Sequence, residues 1–176
     1  VALLRRALLL AWLPVLAACG APQRPDGGQG LLPVGAEAPA LRAVDHEERP
    51  VDLRAERGRP VVVFFYPKDG TPGCTREACA FRDVWGRYEE AKIRVLGVSA
   101  DTAEAHRKFA QEHRLPFSLI ADTSGDWARA FGVGSTLGMY RRVTFLIGAD
   151  GKVARVYPDV DPGVHAEQVL TEAQAR

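Results

Sequence analysis

Cysteine is scarce in this chain of 176 residues: there are three, at positions 19, 74 and 79. That is too few for a disulfide scaffold, and the spacing offers no paired zinc-ligand motif. Long apolar runs are missing too. The stretch Ala7 to Ala17 covers eleven residues, short of the roughly 20 that a bilayer-spanning helix needs. Neither sign of charge prevails, with 23 basic residues against 22 acidic and a formal net charge of +1. No basic stripe interleaves with aromatics, which excludes nucleic acid as a partner. The glycines of Gly132-Val-Gly134-Ser-Thr-Leu-Gly138 lack the strand before and helix after that a dinucleotide site requires, so they read as a loop. His46, His106, His113 and His165 are scattered. His106 and His113 read as the solvated face of one helix, and neither a metal nor a cofactor is expected.

What remains is an ordinary globular composition, 47% apolar and 26% charged, long enough for one domain. Three segments are expected. Residues 1–18 carry Arg5 and Arg6, then the short apolar stretch and small residues, the pattern of an export signal. Its end, Leu16-Ala17-Ala18-Cys19-Gly20, resembles the bacterial lipobox, in which the exposed cysteine carries lipid. Cys19 is then the attachment point, and several acyl chains would hold the protein on a bacterial membrane outside the cytoplasm. Residues 19–30, rich in Gly, Pro and polar groups, read as a flexible tether. Residues 31–176 form the domain.

Within the domain, Val61 to Tyr66 is an unbroken apolar run ended by Pro67, as a strand covered on both faces requires. Arg94 to Ser99 and Phe117 to Ala121 repeat the pattern. Helical patterns separate them: Pro72 to Glu90, Thr102 to His113 and Gly125 to Phe131. This β-α-β-α-β order implies a parallel sheet with helices on its faces. Val143 to Gly148 and Lys152 to Tyr157 flank Ala149-Asp150-Gly151, an antiparallel hairpin signal, and His165 to Ala175 closes with a helix. A short hairpin around Leu41 to Leu53 precedes the sheet. The sum is an α/β, thioredoxin-like fold with a central mixed sheet.

Cys74 opens the helix behind the first long strand. Thr71 suits the N-cap and Pro72 the first helical position. An N-terminal cysteine meets unpaired amides and the positive end of the helix dipole, both of which favour the reactive thiolate. Cys74, Ala78, Phe81, Val84, Trp85 and Tyr88 form the inward stripe, with Arg76, Glu77 and Arg82 on other faces. Cys79 lies about 140° round the helix and roughly 8.7 Å away between Cα atoms, beyond the ~7 Å reach of a disulfide. Either the two do not pair, or pairing unwinds the helix.

The segment Tyr66-Pro67-Lys-Asp-Gly-Thr71-Pro-Gly-Cys74-Thr-Arg-Glu-Ala-Cys79-Ala-Phe-Arg-Asp83 resembles the active-site segment of peroxiredoxins, most of all the Q type, also called bacterioferritin comigratory protein. Arg142-Val-Thr-Phe-Leu-Ile147 is similar to that family's arginine-bearing strand, and the similarity runs from about Leu32 to the C-terminus. The resemblance implies a thiol peroxidase acting on hydrogen peroxide and organic hydroperoxides. Cys74 would be the peroxidatic cysteine and Cys79 the resolving one, joined in an intramolecular disulfide that a thioredoxin-like thiol donor reduces. Thr71 would hydrogen-bond peroxide and thiolate, Pro67 would shield the pocket, and Arg142 would stabilise the thiolate and bind the peroxide oxygens. Arg141 is the competing arginine, and a monomer is expected.

Two other classes fit parts of the pattern. A membrane-anchored thiol–disulfide oxidoreductase would want Cys-x-x-Cys, whereas four residues separate Cys74 from Cys79. A copper-carrying module on the same fold would need a histidine near the helix start, and the sequence places none there.

Overall fold

The computed structural model describes residues 23–175. The expected export signal and Cys19 lie outside the described residues. Of the expected tether, residues from Gln23 onward are described and hydrogen-bonded. Arg24 donates to the carbonyls of Gln29, Gly30 and Leu31 at 3.1, 2.9 and 3.2 Å. Among the described residues no helix is long and apolar enough to cross a membrane.

The order of elements follows the hydrophobic pattern closely. A small hairpin, β1 (Arg42–Val44) and β2 (Pro50–Asp52), precedes β3 (Val61–Phe65). Then come α1 (Pro72–Asp83), α2 (Trp85–Glu90), β4 (Arg94–Ser99), α3 (Ala103–His113), β5 (Ser118–Ala121) and α4 (Asp126–Phe131). The chain ends with β6 (Ser135–Thr136), β7 (Met139–Tyr140), β8 (Val143–Ile147), β9 (Val153–Tyr157) and α5 (His165–Gln174). Five strands make the central sheet in the order β5-β4-β3-β8-β9. The neighbours β3, β4 and β5 run parallel, while β8 and β9 join antiparallel. This is the mixed α/β thioredoxin-like architecture that the strand and helix order implies.

All five residues of β3 are buried, because alternate side chains enter different cores. Val62 and Phe64 pack with Phe81 of α1, Phe109 of α3 and Leu170 of α5. Val61, Val63 and Phe65 pack with Trp127 and Phe131 of α4 on the opposite face. Each fully buried phenylalanine or valine contributes roughly 1.5–3 kcal/mol, and a central strand facing two cores collects that on both sides.

Two local expectations change. The helix expected over 72–90 breaks at Val84, whose φ is −108° and ψ 15°. The break turns Tyr88 so that its buried hydroxyl donates to the Ala166 carbonyl at 2.8 Å, tying α2 to α5. The glycine-containing loop after α4 holds a hairpin, β6 with β7, in which Thr136 pairs with Met139. Leu137 and Gly138 turn it with φ of 52° and 78°, the positive values that a tight two-residue hairpin demands.

The site is positioned by the register between β3 and β8. Phe65 pairs with Val143, so the residue before β8 lies beside the C-terminal end of β3. That is also where the chain leaves β3 for α1. An antiparallel neighbour therefore begins where its parallel partner ends, and Arg142 and Cys74 meet across 68 residues of sequence.

Candidate active site

The loop from Pro67 to Thr71 joins β3 to α1. Gly70 takes φ +70°, a conformation open to glycine at little cost. Thr71 occupies the N-cap position but caps nothing with its side chain. Its hydroxyl donates instead to the Lys68 carbonyl at 3.0 Å, while its own carbonyl accepts from the Thr75 amide at 2.8 Å. The sequence-based expectation of a capping hydroxyl is corrected here. With its proton committed to Lys68, the oxygen has acceptor capacity to spare for a donor in the pocket.

Cys74 sits in the first turn of α1 and is 2% exposed. Arg142 Nη2 donates to its Sγ at 3.2 Å, while Nη1 of the same guanidinium donates to Glu77 Oε2. The guanidinium also lies against Gly73, where a side-chain carbon would come within 3.2 Å of Nη2. Arg141 is exposed and Arg142 is largely covered. Of the two arginines weighed from sequence, Arg142 therefore contacts the sulfur. Burial works against the charge of Arg142, but Glu77 and Cys74 outweigh it and move its pKa up. A guanidinium beside a sulfur in the first turn of a helix favours the thiolate.

Glu77 was expected on an outer face and is instead fully buried. Burial pushes its carboxyl up to about 7, against the pull of Arg142 in the opposite direction. Its Oε1 has no hydrogen-bond partner. The signal was present in the spacing, because positions 74, 77, 78 and 81 recur at three and four and make one helical face. Residue type concealed it, since carboxylates are seldom fully buried unless paired.

Cys79 lies on the same unbroken helix as Cys74, and both are free thiols. It is partly exposed, in a groove of about 320 Å³ shared with Arg76, Asp83, Ala166 and Glu167. Pro67 is half-buried at the start of the loop. The helix thus keeps the two sulfurs on different faces, and a bond between them requires its first turns to open.

The histidines depart furthest from expectation. His106, read as solvated helix surface, is fully buried, as is His165, and His46 is 3% exposed. His106 lies three and four residues before Phe109 and Ala110, the other buried residues of α3, so the spacing marked its face. Among the described residues no group of three or more histidine, cysteine or acidic side chains could hold a metal ion.

The sequence profile of the AhpC/TSA family matches residues 34–156. The chain is 37% identical over 158 residues to a chloroplastic peroxiredoxin Q of Sedum lineare, covering 88% of this chain and 85% of that one. The fold superposes on the crystal structure of peroxidoxin BcpB from Mycobacterium tuberculosis with a TM-score of 0.75 and 34% identity, over 81% of this chain and 96% of that one. It superposes equally, with a TM-score of 0.75 and 31% identity over 81% and 98% of the two chains, on a Xanthomonas campestris bacterioferritin comigratory protein studied for alkyl peroxide reduction activity.

Proposed function

Since the chain belongs to the AhpC/TSA family and is a peroxiredoxin of the Q type, a thiol-dependent peroxidase, we propose that Cys74 is the sulfur that attacks the peroxide. The observation that carries this reading is the Arg142 guanidinium 3.2 Å from Sγ at the opening turn of α1. The thiolate attacks one peroxide oxygen, the O–O bond breaks, and the departing alkoxide or hydroxide takes a proton. Cys74 is left as a sulfenic acid. Charge accumulates on the leaving oxygen, where a fixed guanidinium and the helix-terminal amides act electrostatically. Thr71 directs the peroxide through its free acceptor capacity, and Pro67 walls the pocket.

Cys79 then attacks the sulfenic sulfur, water leaves, and a Cys74–Cys79 disulfide forms after the start of α1 unwinds. A thioredoxin-like dithiol reduces that disulfide and is itself oxidised. Both hydrogen peroxide and organic hydroperoxides are substrates in this reading, the latter supported by the alkyl peroxide activity of the Xanthomonas relative. The protein acts as a monomer, exported and held on a bacterial membrane by lipid on Cys19.

Reduced mature protein given one equivalent of peroxide tests these assignments together. Mass analysis should find two hydrogens lost between residues 74 and 79 and acyl chains at Cys19. Cys74→Ser should abolish peroxide-dependent consumption of a thiol donor, and Cys79→Ser should stop it after one turnover with thioredoxin. Peroxidase activity persisting in Cys74→Ser would overturn the assignment.

A further inference from the structure

His106 is held at both ring nitrogens in a fully buried position. Nδ1 lies 2.7 Å from Asp69 Oδ2, and Nε2 lies 3.2 Å from the Ile120 carbonyl oxygen. The Tyr66 hydroxyl donates to Asp69 Oδ1 at 2.8 Å and sits 3.4 Å from His106 Nδ1. A carbonyl oxygen can only accept, so Nε2 carries a proton. Asp69 thus bridges the Tyr66 hydroxyl and the His106 ring through its two carboxylate oxygens. Asp101 accepts from the Asp69 amide at 2.9 Å and the Ser99 hydroxyl at 2.7 Å, and so holds the backbone of the same loop.

His46 approaches from the segment between β1 and β2, and burial holds its pKa below the usual histidine value despite Asp45. Its Nδ1 accepts from the Leu119 amide at 3.2 Å, so that nitrogen carries no proton. Arg107, the next residue of α3, is directed to the His46 carbonyl and Glu48.

We propose that His106 is a positioning residue that, through Asp69, ties the loop of residues 67–71 to α3 and so fixes the opening turn that presents Cys74. This rests on the peroxidase reading of Cys74 and goes beyond it. Asp69 is the middle of that loop, two residues before Thr71, and among the described residues its carboxylate makes the side-chain hydrogen bond that links the loop to α3. The same tie opposes the unwinding that a Cys74–Cys79 disulfide needs. His106 therefore acts in opposite senses on two successive steps, favouring attack on peroxide and restraining disulfide closure.

The test has two arms. Nitrogen-15 NMR of the reduced, intact protein should show His106 Nε2 protonated and held against exchange by the Ile120 carbonyl; an unprotonated Nε2 overturns the proposal. Single-turnover oxidation by hydrogen peroxide is then followed in His106→Gln and Asp69→Asn. Each should slow formation of the sulfenic acid by about tenfold and speed disulfide closure by about threefold, as expected for loosened positioning. Unchanged steps in both variants, or both steps slowed together, would sink it. If wild-type Cys74 is not oxidised at all, the peroxidase reading has failed instead, and the NMR result still stands on its own.

Discussion

Glu77 and Arg142 form a buried pair, their side chains 1% and 18% exposed, and the guanidinium that Glu77 holds is the one that contacts Cys74. One arginine edge is committed to protein and the other to sulfur. This pairing brings a fixed positive charge to a buried sulfur. Breaking a buried pair by deleting one partner costs about 3–5 kcal/mol, because the other charge stays behind.

Arg142→Lys should therefore keep the charge and lose the geometry. A lysine ammonium cannot serve Glu77 and Cys74 with the two edges of one plane. The rate constant for peroxide consumption is expected to fall by about 10² or more, the usual loss when a fixed electrostatic donor is removed. Arg141→Ala, a change at an exposed side chain, should leave that rate within about twofold. Stopped-flow measurement on the reduced proteins checks both; equal losses would reassign the role.

Two buried groups should give stability opposed dependences on pH. Glu77 rises from 4.5 to about 7 on folding, so its contribution is complete below about 4.5 and is lost as pH climbs through 7. His165 falls from 6.5 to about 4, chiefly through burial, so its contribution is complete above 6.5 and is lost as pH drops through 4. Where the windows overlap, each changes by about 1.4 kcal/mol per pH unit with the opposite sign, and the two cancel. Urea unfolding across that window should show Glu77→Gln gaining stability as pH rises and His165→Asn losing it. Slopes identical to wild type in both variants would contradict the account.

Gly97 marks a third weak point, in the sheet itself. It pairs with Phe64 on one side and Leu119 on the other. A side-chain carbon there would come within 2.7 Å of Leu119 Cδ2 and of the Phe64 ring. Phe64 cannot swing aside, because it stacks on Phe81 with centroids 4.8 Å apart. Gly97→Ala should cost about 1–3 kcal/mol by overpacking, read as a lower urea midpoint with unchanged slope. A midpoint at or above wild type would show that the core repacks.

The legible parts of this protein are those that local pattern dictates. Unbroken apolar runs marked β3, β4, β5 and β8, and Asp150-Gly151 marked the turn between β8 and β9, since hydrophobic period and turn chemistry act over a few residues. The same locality put Cys74 in the first turn of α1 and separated it from Cys79. Glu77 and His106 were misplaced on solvent faces although their spacing aligned them with buried neighbours. A charged or polar residue is buried only if partners await it, and Arg142, Asp69 and Ile120 lie 65, 37 and 14 residues away in sequence.

By itself, then, the sequence determined the elements, their order and the helix start where a cysteine could be activated. Tertiary structure alone decided which arginine reaches that cysteine, which carboxylate holds the arginine, and which histidine ties down the loop. The physical reason is that each of these depends on strand register and helix docking, where burial turns a tolerated polar residue into one that must be paired.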